Sequence, residues 1–509
     1  MNKLNLSQIE DVAINKKAFV LDENVKAEID RSFSFLEAFS SDKIIYGINT
    51  GFGPMAQFKI ETDKLNQLQY NLIRSHSSGT GQALDDECVR AVLLARVNNF
   101  LQGNSGVSYG VIAKIEAFLK HEISPEIYEH GGVGASGDLV QLAHLGLNLI
   151  GEGFVRYQGE RRPTSEVLVQ LNIEPLKLKL RDGLGLMNGT SCMTGIGAIN
   201  LIYSNRLLKW AIAASSIINE VVESFDDSFS EGLNNVKMHD GQQFIASQMR
   251  SILSDSKMIR QREELFADDA ALQSSEFKKK IQEYYSIRCV PQILGPVKET
   301  LDYAQSVIEK EINSTNDNPI VSVDLQNVFH GGNFHGDYIS LEMDKIKIVI
   351  TKLTMLAERQ LNFILNNKLN DVFPPFLNTR TLGFNFGIQG MQFTATSTTA
   401  ENQTLSNPMY VHSIPNNNDN QDIVSMGTNS AVMAKKVIEN GFQVMAIHMM
   451  AVCQAVDLLE DEKRARLSSK TLEIYNIVRS VAPTIIEDVV QSENIKKVTE
   501  KLRKTTLAL

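Results

Sequence analysis

The sequence is poor in cysteine, which argues against disulfide-bonded folds and folds built on a cysteine-bound metal. Its 509 residues include four cysteines, Cys88, Cys192, Cys289 and Cys453. They lie far apart and form no C-x-x-C pair, so neither a zinc ribbon nor a disulfide framework is expected. Reduced thiols in a cytoplasmic protein fit this pattern best.

Net positive charge and long apolar runs are also lacking. The formal net charge of −10 argues against nucleic acid or an anionic membrane as the main partner, because both are bound by neutralising phosphates. The long uncharged stretch 183–205 contains Asn188, Thr190 and Asn200 and is too polar to span a membrane. The N-terminus lacks the apolar core of a signal peptide. We therefore expect a cytoplasmic protein that binds neither nucleic acid nor membrane.

Helical periodicity is abundant. Apolar residues recur at three- and four-residue steps, and in 422–459 they do so for many turns without proline, as in stacked helices of a bundle. Strand signals are few and predict only two small hairpins, at 154–161 and 320–329. The expected fold is mainly α, a long-helix bundle core with a mixed helix and loop N-terminal region and a few short strands. The predicted helices are 65–74, 84–101, 111–119, 139–150, 194–224, 292–312, 339–365 and 422–459.

Three consecutive regions follow from this pattern. Residues 1–187 form the N-terminal helix and loop region, 188–460 the central long-helix bundle, and 461–509 a more charged helical cap. A basic run such as Lys463 to Arg466 is usually a solvated face. No repeat or low-complexity linker separates the regions.

A glycine-rich run at 131–137 allows two interpretations. Gly132, Gly134 and Gly137 match the G-x-G-x-x-G spacing of a dinucleotide site, where backbone amides approach a pyrophosphate. That fingerprint needs a buried strand just before it. The preceding segment 121–130 contains Pro125 and scattered charges but no β-branched apolar run, which weakens the interpretation as a nucleotide-dependent oxidoreductase.

The second interpretation concerns the tripeptide Ala135-Ser136-Gly137 within that run. If the Gly137 nitrogen attacks the Ala135 carbonyl, a five-membered ring closes, and loss of water from Ser136 leaves an exocyclic methylidene. Glycine offers an unhindered nitrogen and the freedom that a tight turn needs. The product is an electrophile made from the chain itself.

Other polar segments lie where loops are expected. Three glycines accompany Tyr46 in the loop 46–53, a candidate lid. Gln282, Tyr285 and Arg288 are spaced so that, on helical turns, an amide, a phenol and a guanidinium point to one side. A guanidinium offers bidentate capture of a carboxylate. Two further polar loops, 331–335 and 416–422, precede long helices.

Taken together, these segments resemble the aromatic amino acid ammonia-lyases, the histidine, phenylalanine and tyrosine ammonia-lyases that build a methylidene-imidazolone group from Ala-Ser-Gly. The resemblance runs in order over most of the chain. It is carried by Tyr46-Gly-Ile-Asn-Thr-Gly-Phe-Gly53, Gly134-Ala-Ser-Gly-Asp-Leu139, Met187-Asn-Gly-Thr190, Tyr285-Ser-Ile-Arg-Cys-Val-Pro-Gln292, Gly332-Asn-Phe-His335 and Gln421-Asp-Ile-Val-Ser-Met426.

The resemblance implies a homotetramer in which neighbouring chains complete each active site, and a 4-methylidene-imidazol-5-one formed from Ala135, Ser136 and Gly137 with no external cofactor and no metal. It implies that the substrate amine adds to the methylidene while Tyr46 removes a β-hydrogen and ammonia leaves. The base must be activated, because an ordinary tyrosine is a weak base at neutral pH.

The same resemblance implies roles for the substrate-binding residues. Arg288 clamps the carboxylate, with Asn313 or Asn333 assisting, Tyr285 and Asn188 lie near the prosthetic group, and Gln282 supports them. Phe334 is expected to form a pocket wall.

Two positions favour L-tyrosine, and hence trans-p-coumarate, among the family's substrates. His76 stands at the family's selectivity position, and because an imidazole hydrogen-bonds a phenol or another imidazole, it argues against phenylalanine and leaves tyrosine and histidine open. Gln421, preceded by Asn420, stands where histidine ammonia-lyases carry a glutamate, and a neutral amide offers an imidazole substrate no charged partner. Ser77 departs from the leucine of many tyrosine enzymes, although bacterial tyrosine ammonia-lyases with His-Ser at this position look most similar. For His76 a purely structural role, bonding the last carbonyls of a helix, is the alternative.

Several alternatives remain open. A histidine ammonia-lyase and a tyrosine 2,3-aminomutase would use the same prosthetic group. From other classes, the nucleotide-dependent oxidoreductase stays as a weakened candidate, beside a metal hydrolase built on His330, His335 and Asp337. The five-residue spacing of those histidines is not a helical metal pair. A nonenzymatic helical scaffold is the last alternative.

Overall fold

The computed structural model describes residues 3–22, 24–266, 275 and 281–509, and helices dominate it as predicted. The chain divides into two compact units, each assembled from three separate segments. The first holds Met1–Ile202, Ala304–Asp344 and Pro408–Lys435, and the second holds Tyr203–Tyr303, Lys345–Asn407 and Lys436–Leu509. The three consecutive regions expected from the sequence stay a prediction.

Long helices contribute residues to both units. Each predicted long segment is helical, with ends displaced by a few residues because caps decide where a helix begins and ends. Residues 422–426, expected to be helical, are instead loop, since Met426 has a φ of +52° and its backbone nitrogen donates to Val133. The long helices are Ser191–Val221, Val290–Ile312, Asp337–Leu365 and Gly427–Asp457.

The first unit adds shorter helices and all of the strands assigned in the described residues. The two predicted hairpins form, as Phe154–Tyr157 with Glu160–Pro163 and as Ile320–Ser322 with Asn327–Phe329. Three short strands were not predicted, because they are too short to alternate: Thr80–Ala83 pairs antiparallel with Tyr128–His130, and Ser124–Pro125 with Phe154–Tyr157. The shorter helices are Leu6–Ala13, Val25–Ser40, Leu65–His76, Asp86–Leu101, Tyr109–Lys120, Leu139–Leu149, Thr164–Gln170 and Asp182–Met187, with 3-10 turns at Gly53–Met55 and Thr62–Lys64.

The second unit is a helical bundle. Asn402 donates its side-chain amide to Thr354 at 3.4 Å and to the Val437 carbonyl at 3.0 Å, which joins three helices through one buried side chain. Trp210 is fully buried and donates to the Leu502 carbonyl at 3.1 Å, which docks the C-terminal helix. The remaining elements are Glu231–Asn234, Asp240–Ile252, Arg262–Phe266, Tyr285–Arg288, Asn367–Asn370, Gln389–Leu405, Asp461–Arg464, Ser469–Arg479 and Ser492–Lys504, with 3-10 turns at Asp226–Phe229 and Pro375–Leu377.

No helix in the described part of the chain is both long enough and apolar enough to cross a membrane.

Candidate active site

The tripeptide 135–137 occupies a turn that only glycine permits at its ends. Gly134 and Gly137 have φ values of +75° and +72°, in the left-handed region that side chains disfavour. A Cβ atom built on Gly137 would overlap the backbone carbonyl of Gly189. The backbone around Gly137 pairs in parallel with Gly189, so these glycines let two chain segments touch.

Ser136 is held from two sides in this turn. Its carbonyl oxygen accepts from the Asn188 side-chain amide at 3.2 Å and from the Gly189 backbone nitrogen at 3.3 Å. Its Oγ accepts from the Gln421 side-chain amide at 3.0 Å. Asn188 and Gln421 are both buried, at 5% and 9% exposure. The structure therefore gathers three distant sequence motifs around one serine.

Asp138, the residue after the tripeptide, ties the turn to two long helices. Its carboxylate accepts from the backbone nitrogens of Cys192 at 2.8 Å and Met193 at 2.9 Å, in the first turn of Ser191–Val221. Thr428, at the start of Gly427–Asp457, donates its hydroxyl to the same carboxylate. Burial raises the pKa of Asp138 to about 6. An anion at helix N-termini satisfies otherwise unpaired N–H groups.

Arg96 lies behind Asn188 and was not selected from the sequence. The side chain is fully buried, donates to the Asn188 carbonyl at 2.8 Å and donates to the Asn99 side chain. Burial lowers the pKa of its guanidinium to about 10, so that it stays charged at neutral pH. The sequence places it in a helical pattern, where an arginine is normally assigned to a solvated face.

The predicted lid tyrosine, Tyr46, is oriented by its own loop. Its phenolic oxygen accepts from the Gly53 backbone nitrogen at 3.0 Å, and its ring meets Phe52 edge to face with centroids 6.2 Å apart. Gly53 also lies against Asn417, since a Cβ there would approach the Asn417 amide nitrogen to 2.9 Å. The lid loop thus packs against the loop that leads to Gln421.

His76 is the last residue of helix Leu65–His76. Its Nδ1 lies 3.0 Å from the Leu72 carbonyl and 3.0 Å from the Ser75 hydroxyl. Since a carbonyl only accepts, Nδ1 carries the proton, and Nε2 is an acceptor in the neutral ring. His76 therefore has the structural role of bonding a carbonyl at the end of its helix. The same bond directs only Nδ1, so Nε2 can still accept from a ligand.

Other predicted residues of the first unit are less enclosed. Asn333 and Asn420 are exposed and Phe334 is half-buried, while Asn333 has a long contact of 3.4 Å to the Thr315 carbonyl. The side chain of Asn313 binds the N-terminal segment of the chain, since it accepts from the Leu4 backbone nitrogen at 2.8 Å and donates to the Leu4 carbonyl at 2.7 Å. An assisting role for Asn313 is thus disfavoured by its contacts.

The alternative metal site is not supported by these contacts. His335 has Nδ1 at 2.5 Å from the Asp337 carboxylate and Nε2 at 3.2 Å from the Ile423 carbonyl, so both ring nitrogens already have partners. Within the described ranges, no group of three or more His, Cys, Asp or Glu side chains is arranged to hold a metal ion.

Gln282, Tyr285 and Arg288 belong to the second unit. Tyr285 and Arg288 share the single helical turn Tyr285–Arg288, and the guanidinium carbon lies 4.9 Å from the tyrosine ring centroid. Gln282 precedes this turn in a bend, so the predicted helical spacing holds for one pair and is wrong for the other. Tyr285 is 70% exposed. Gln282 and Arg288 line a cavity of about 260 Å³ in this unit.

The sequence of this chain matches a known protein family. A family model described as aromatic amino acid lyase matches residues 4–480. The chain belongs to the aromatic amino acid lyase family. This membership confirms the resemblance deduced from the six motifs, and it makes the chain a member of a carbon–nitrogen lyase family.

Individual relatives carry three different activities in their names. A tyrosine ammonia-lyase of Cupriavidus metallidurans is 35% identical over 97% of this chain and 94% of its own. A histidine ammonia-lyase of Geobacillus thermodenitrificans is 37% identical over 92% and 90%. An MIO-dependent tyrosine 2,3-aminomutase of Streptomyces globisporus is 37% identical over 94% and 89%.

The fold is shared as well. A crystal structure of tyrosine aminomutase from Streptomyces globisporus matches with a TM-score of 0.94 at 34% identity, covering 99% of this chain and 96% of that one. The mainly α fold predicted from periodicity is thereby confirmed. The names of the relatives include both tyrosine and histidine as substrates.

Proposed function

We propose that the protein is a tyrosine ammonia-lyase that converts L-tyrosine to trans-p-coumarate and ammonia in the cytoplasm, with no added cofactor. The observation that carries this proposal is the environment of Ser136, where the side-chain amides of Gln421 and Asn188 and the backbone nitrogen of Gly189 converge. Within a family of aromatic amino acid lyases, that serine is the residue from which the electrophile would form.

The residues present fit a 4-methylidene-imidazol-5-one made from Ala135, Ser136 and Gly137. The left-handed turn brings the tripeptide against Gly189, and two N–H groups already point at the Ser136 carbonyl. Asn188 Oδ1 is buried without a donor among the described residues, an acceptor suited to a polar ligand. The group supplies an electrophilic methylidene carbon that turns the substrate amine into a better leaving group.

The chain's own side chains would perform the remaining tasks. Tyr46 would take the β-proton, and its hydrogen bond from Gly53 fixes the direction of the phenol oxygen. Arg288 would bind the substrate carboxylate through its planar pair of donors, with Tyr285 beside it and Gln282 in support. Phe334, Asn333 and Asn420 would border the pocket.

His76 supports a phenolic substrate. With Nδ1 donating to Leu72, Nε2 of the neutral ring would accept the proton of a phenol hydroxyl, which orients the substrate ring without a charge. Phenylalanine has no group to satisfy this acceptor, so its apolar ring would leave Nε2 without a partner in the complex, which disfavours binding.

Gln421 separates tyrosine from histidine. Its amide nitrogen donates to Ser136 Oγ, so this position offers an amide and not the carboxylate that would pair with an imidazole substrate. A charge-assisted bond is roughly twice as strong as a neutral one. The neutral amide therefore favours the neutral ring of tyrosine.

A homotetramer with shared active sites is part of the proposal. Tyr285 is largely exposed in the single chain, as are apolar residues of the second unit, including Phe384 at 77%. Exposed apolar groups of this size are typical of protein interfaces. A neighbouring chain would bury them and bring Tyr285 and Arg288 to a site.

The test is to incubate the purified protein with tyrosine, histidine or phenylalanine and follow the ultraviolet absorbance of each product. We expect p-coumarate to form fastest, with neither chelator nor added NAD changing the rate. Faster urocanate formation would make the protein a histidine ammonia-lyase, and accumulation of β-tyrosine would make it an aminomutase.

Two variants connect the activity to named residues. Ser136→Ala should abolish it, and full activity in that variant would sink the prosthetic-group assignment. His76→Phe should lose the preference for tyrosine over phenylalanine. Ser75→Ala is the matched control, because it removes a contact of Nδ1 but keeps the imidazole, and its substrate preference should be that of the wild type.

A further inference from the structure

A buried arginine, one peptide group and the Ser136 carbonyl form a continuous hydrogen-bonded series in the first unit. Arg96 Nη1 donates to the Asn188 carbonyl oxygen at 2.8 Å. The Gly189 nitrogen donates to the Ser136 carbonyl oxygen at 3.3 Å. The Asn188 carbonyl and the Gly189 N–H belong to the same peptide bond, so the guanidinium and the serine lie at its two ends.

A cation at one end of an amide strengthens the donor at the other. Drawing electron density toward the Asn188 oxygen makes the Gly189 N–H more acidic, which is the cooperative effect of consecutive hydrogen bonds in a medium of low dielectric constant. Arg96 is fully buried, and its aromatic neighbour Phe100 lies with its ring centroid 4.5 Å from the guanidinium carbon. Water therefore does not screen this charge.

The geometry of Gly189 is what permits the arrangement. Its φ is +131°, and a Cβ built there would lie 2.6 Å from Asn316 Oδ1 and 2.7 Å from Arg96 Nη1. A side chain would push the peptide away from the arginine. The absence of a Cβ lets the peptide lie between the guanidinium and the tripeptide turn.

The Ser136 carbonyl is where charge develops as the prosthetic group forms. The Gly137 nitrogen bonds to the Ala135 carbonyl carbon, and the Ala135 oxygen leaves as water with the hydrogens of the Gly137 and Ser136 nitrogens. The second water takes the Ser136 Oγ–H and the proton from Ser136 Cα. Removing that Cα proton places negative charge on the Ser136 carbonyl oxygen, where preorganised donors stabilise it.

We propose that Arg96 is a positioning residue for this dehydration, acting through the Asn188–Gly189 peptide to strengthen the hydrogen bond that the Ser136 carbonyl accepts. The inference rests on the proposed function, since it concerns the formation of the same group. The 3.3 Å bond is longer than the common range and has room to shorten as the oxygen gains charge.

The test follows the mass of the peptide that contains 135–137 at intervals after synthesis, using only folded protein from size-exclusion chromatography. Wild-type protein should lose two water molecules per chain. In Arg96→Met the loss of the second water, which removes the Ser136 Cα proton, should be slower by about tenfold or more. One strong hydrogen bond is worth about that factor in rate. Arg96→Lys, which keeps the charge but not the planar fork, should give an intermediate rate.

Arg181→Met is the matched control. Arg181 is equally buried in the same unit, but it donates to the carbonyls of Asn318 at 3.0 Å and Pro319 at 3.3 Å. Its folded fraction should lose both waters at the wild-type rate even if its melting temperature falls as far as that of Arg96→Met.

The outcomes separate the two proposals. Wild-type protein that keeps both waters would refute the prosthetic group itself. Dehydration at the wild-type rate in folded Arg96→Met, or an equal delay in Arg181→Met, would overturn the role of Arg96. If Arg96→Met yields no folded protein, the rate in Arg96→Lys decides, and a wild-type rate there overturns the proposal.

Discussion

At the scale of single residues, glycines decide whether the reactive turn exists. Gly137→Ala should abolish formation of the prosthetic group and lower the melting temperature. The Cβ of the new alanine would overlap the Gly189 carbonyl oxygen, a backbone atom that cannot move aside alone. The backbone at position 137 also has a φ of +72°, which an alanine disfavours. Activity and differential scanning calorimetry measure the two effects.

Gly159→Ala separates steric overlap from backbone strain. Gly159 has a φ of +84°, but a Cβ there meets nothing within 4 Å. It should therefore show only the left-handed penalty of about 1–2 kcal/mol and retain full activity. Equal losses in the two variants would mean that strain, and not the contact with Gly189, matters at Gly137.

Segments of the candidate site that form contiguous motifs could be selected from the sequence, such as the tripeptide and the Gln421 segment, which the structure brings into contact. Arg96 was not predictable, because nothing in its helical sequence distinguishes an arginine inside the protein from one at the surface. Asp138 was visible beside the tripeptide, yet its bonds to Cys192 and Thr428 depend on where two helices begin.

At the scale of elements, the Asp138 carboxylate holds the starts of two long helices. Thr428→Val keeps the side-chain shape but removes the hydroxyl that donates to Asp138. Leaving a buried carboxylate short of one donor should cost about 1–3 kcal/mol, measured as a lower melting temperature. Thr404→Val, at an exposed position of Gln389–Leu405, should change stability by less than about 0.5 kcal/mol, and equal effects would contradict the role of Thr428.

A buried histidine in the helix Gly427–Asp457 should make stability depend on pH. His448 has neither ring nitrogen bonded to a partner within the described residues, and burial lowers its pKa to about 3. The unfolded chain, whose imidazole titrates near pH 6.5, then binds more protons below that pH. Stability is complete above pH 6.5 and falls on acidification by up to about 1.4 kcal/mol per pH unit.

His448→Leu should flatten that dependence, so that its advantage in melting temperature over the wild type grows from pH 8 to pH 5. His412→Leu is the control, because His412 is exposed and its replacement removes no buried imidazole. An advantage of His448→Leu that stays constant with pH would contradict the assignment.

Element positions followed from periodicity, but their ends did not. The helix expected to begin at residue 422 begins at Gly427, because the Met426 backbone bonds to Val133, a partner far away in the chain. The short strands near Thr80 and Ser124 were missed, since two to four residues are too few to show alternation.

At the scale of the whole molecule, the proposed shared site predicts complementation between inactive chains. Ser136→Ala and Arg288→Met should each be inactive. Co-refolding them in equal amounts should restore about a quarter of wild-type activity, because a quarter of the sites in a random mixture combine an intact Ser136 from one chain with an intact Arg288 from another.

Refolding each variant alone, and mixing the two after folding, are the controls and should give no activity. If the co-refolded mixture stays inactive while wild-type protein recovers under the same conditions, each chain supplies its own Ser136 and Arg288. Light scattering of the wild type reports the subunit number independently.

The sequence by itself determined the helical class, the family and the tripeptide, because periodicity and contiguous motifs are local properties of the chain. Only the tertiary structure decided which groups meet Ser136 and that Arg96 is buried behind Asn188. Those facts depend on backbone segments from distant parts of the chain approaching closely at glycines and helix starts, and no local pattern specifies the partner of such an approach.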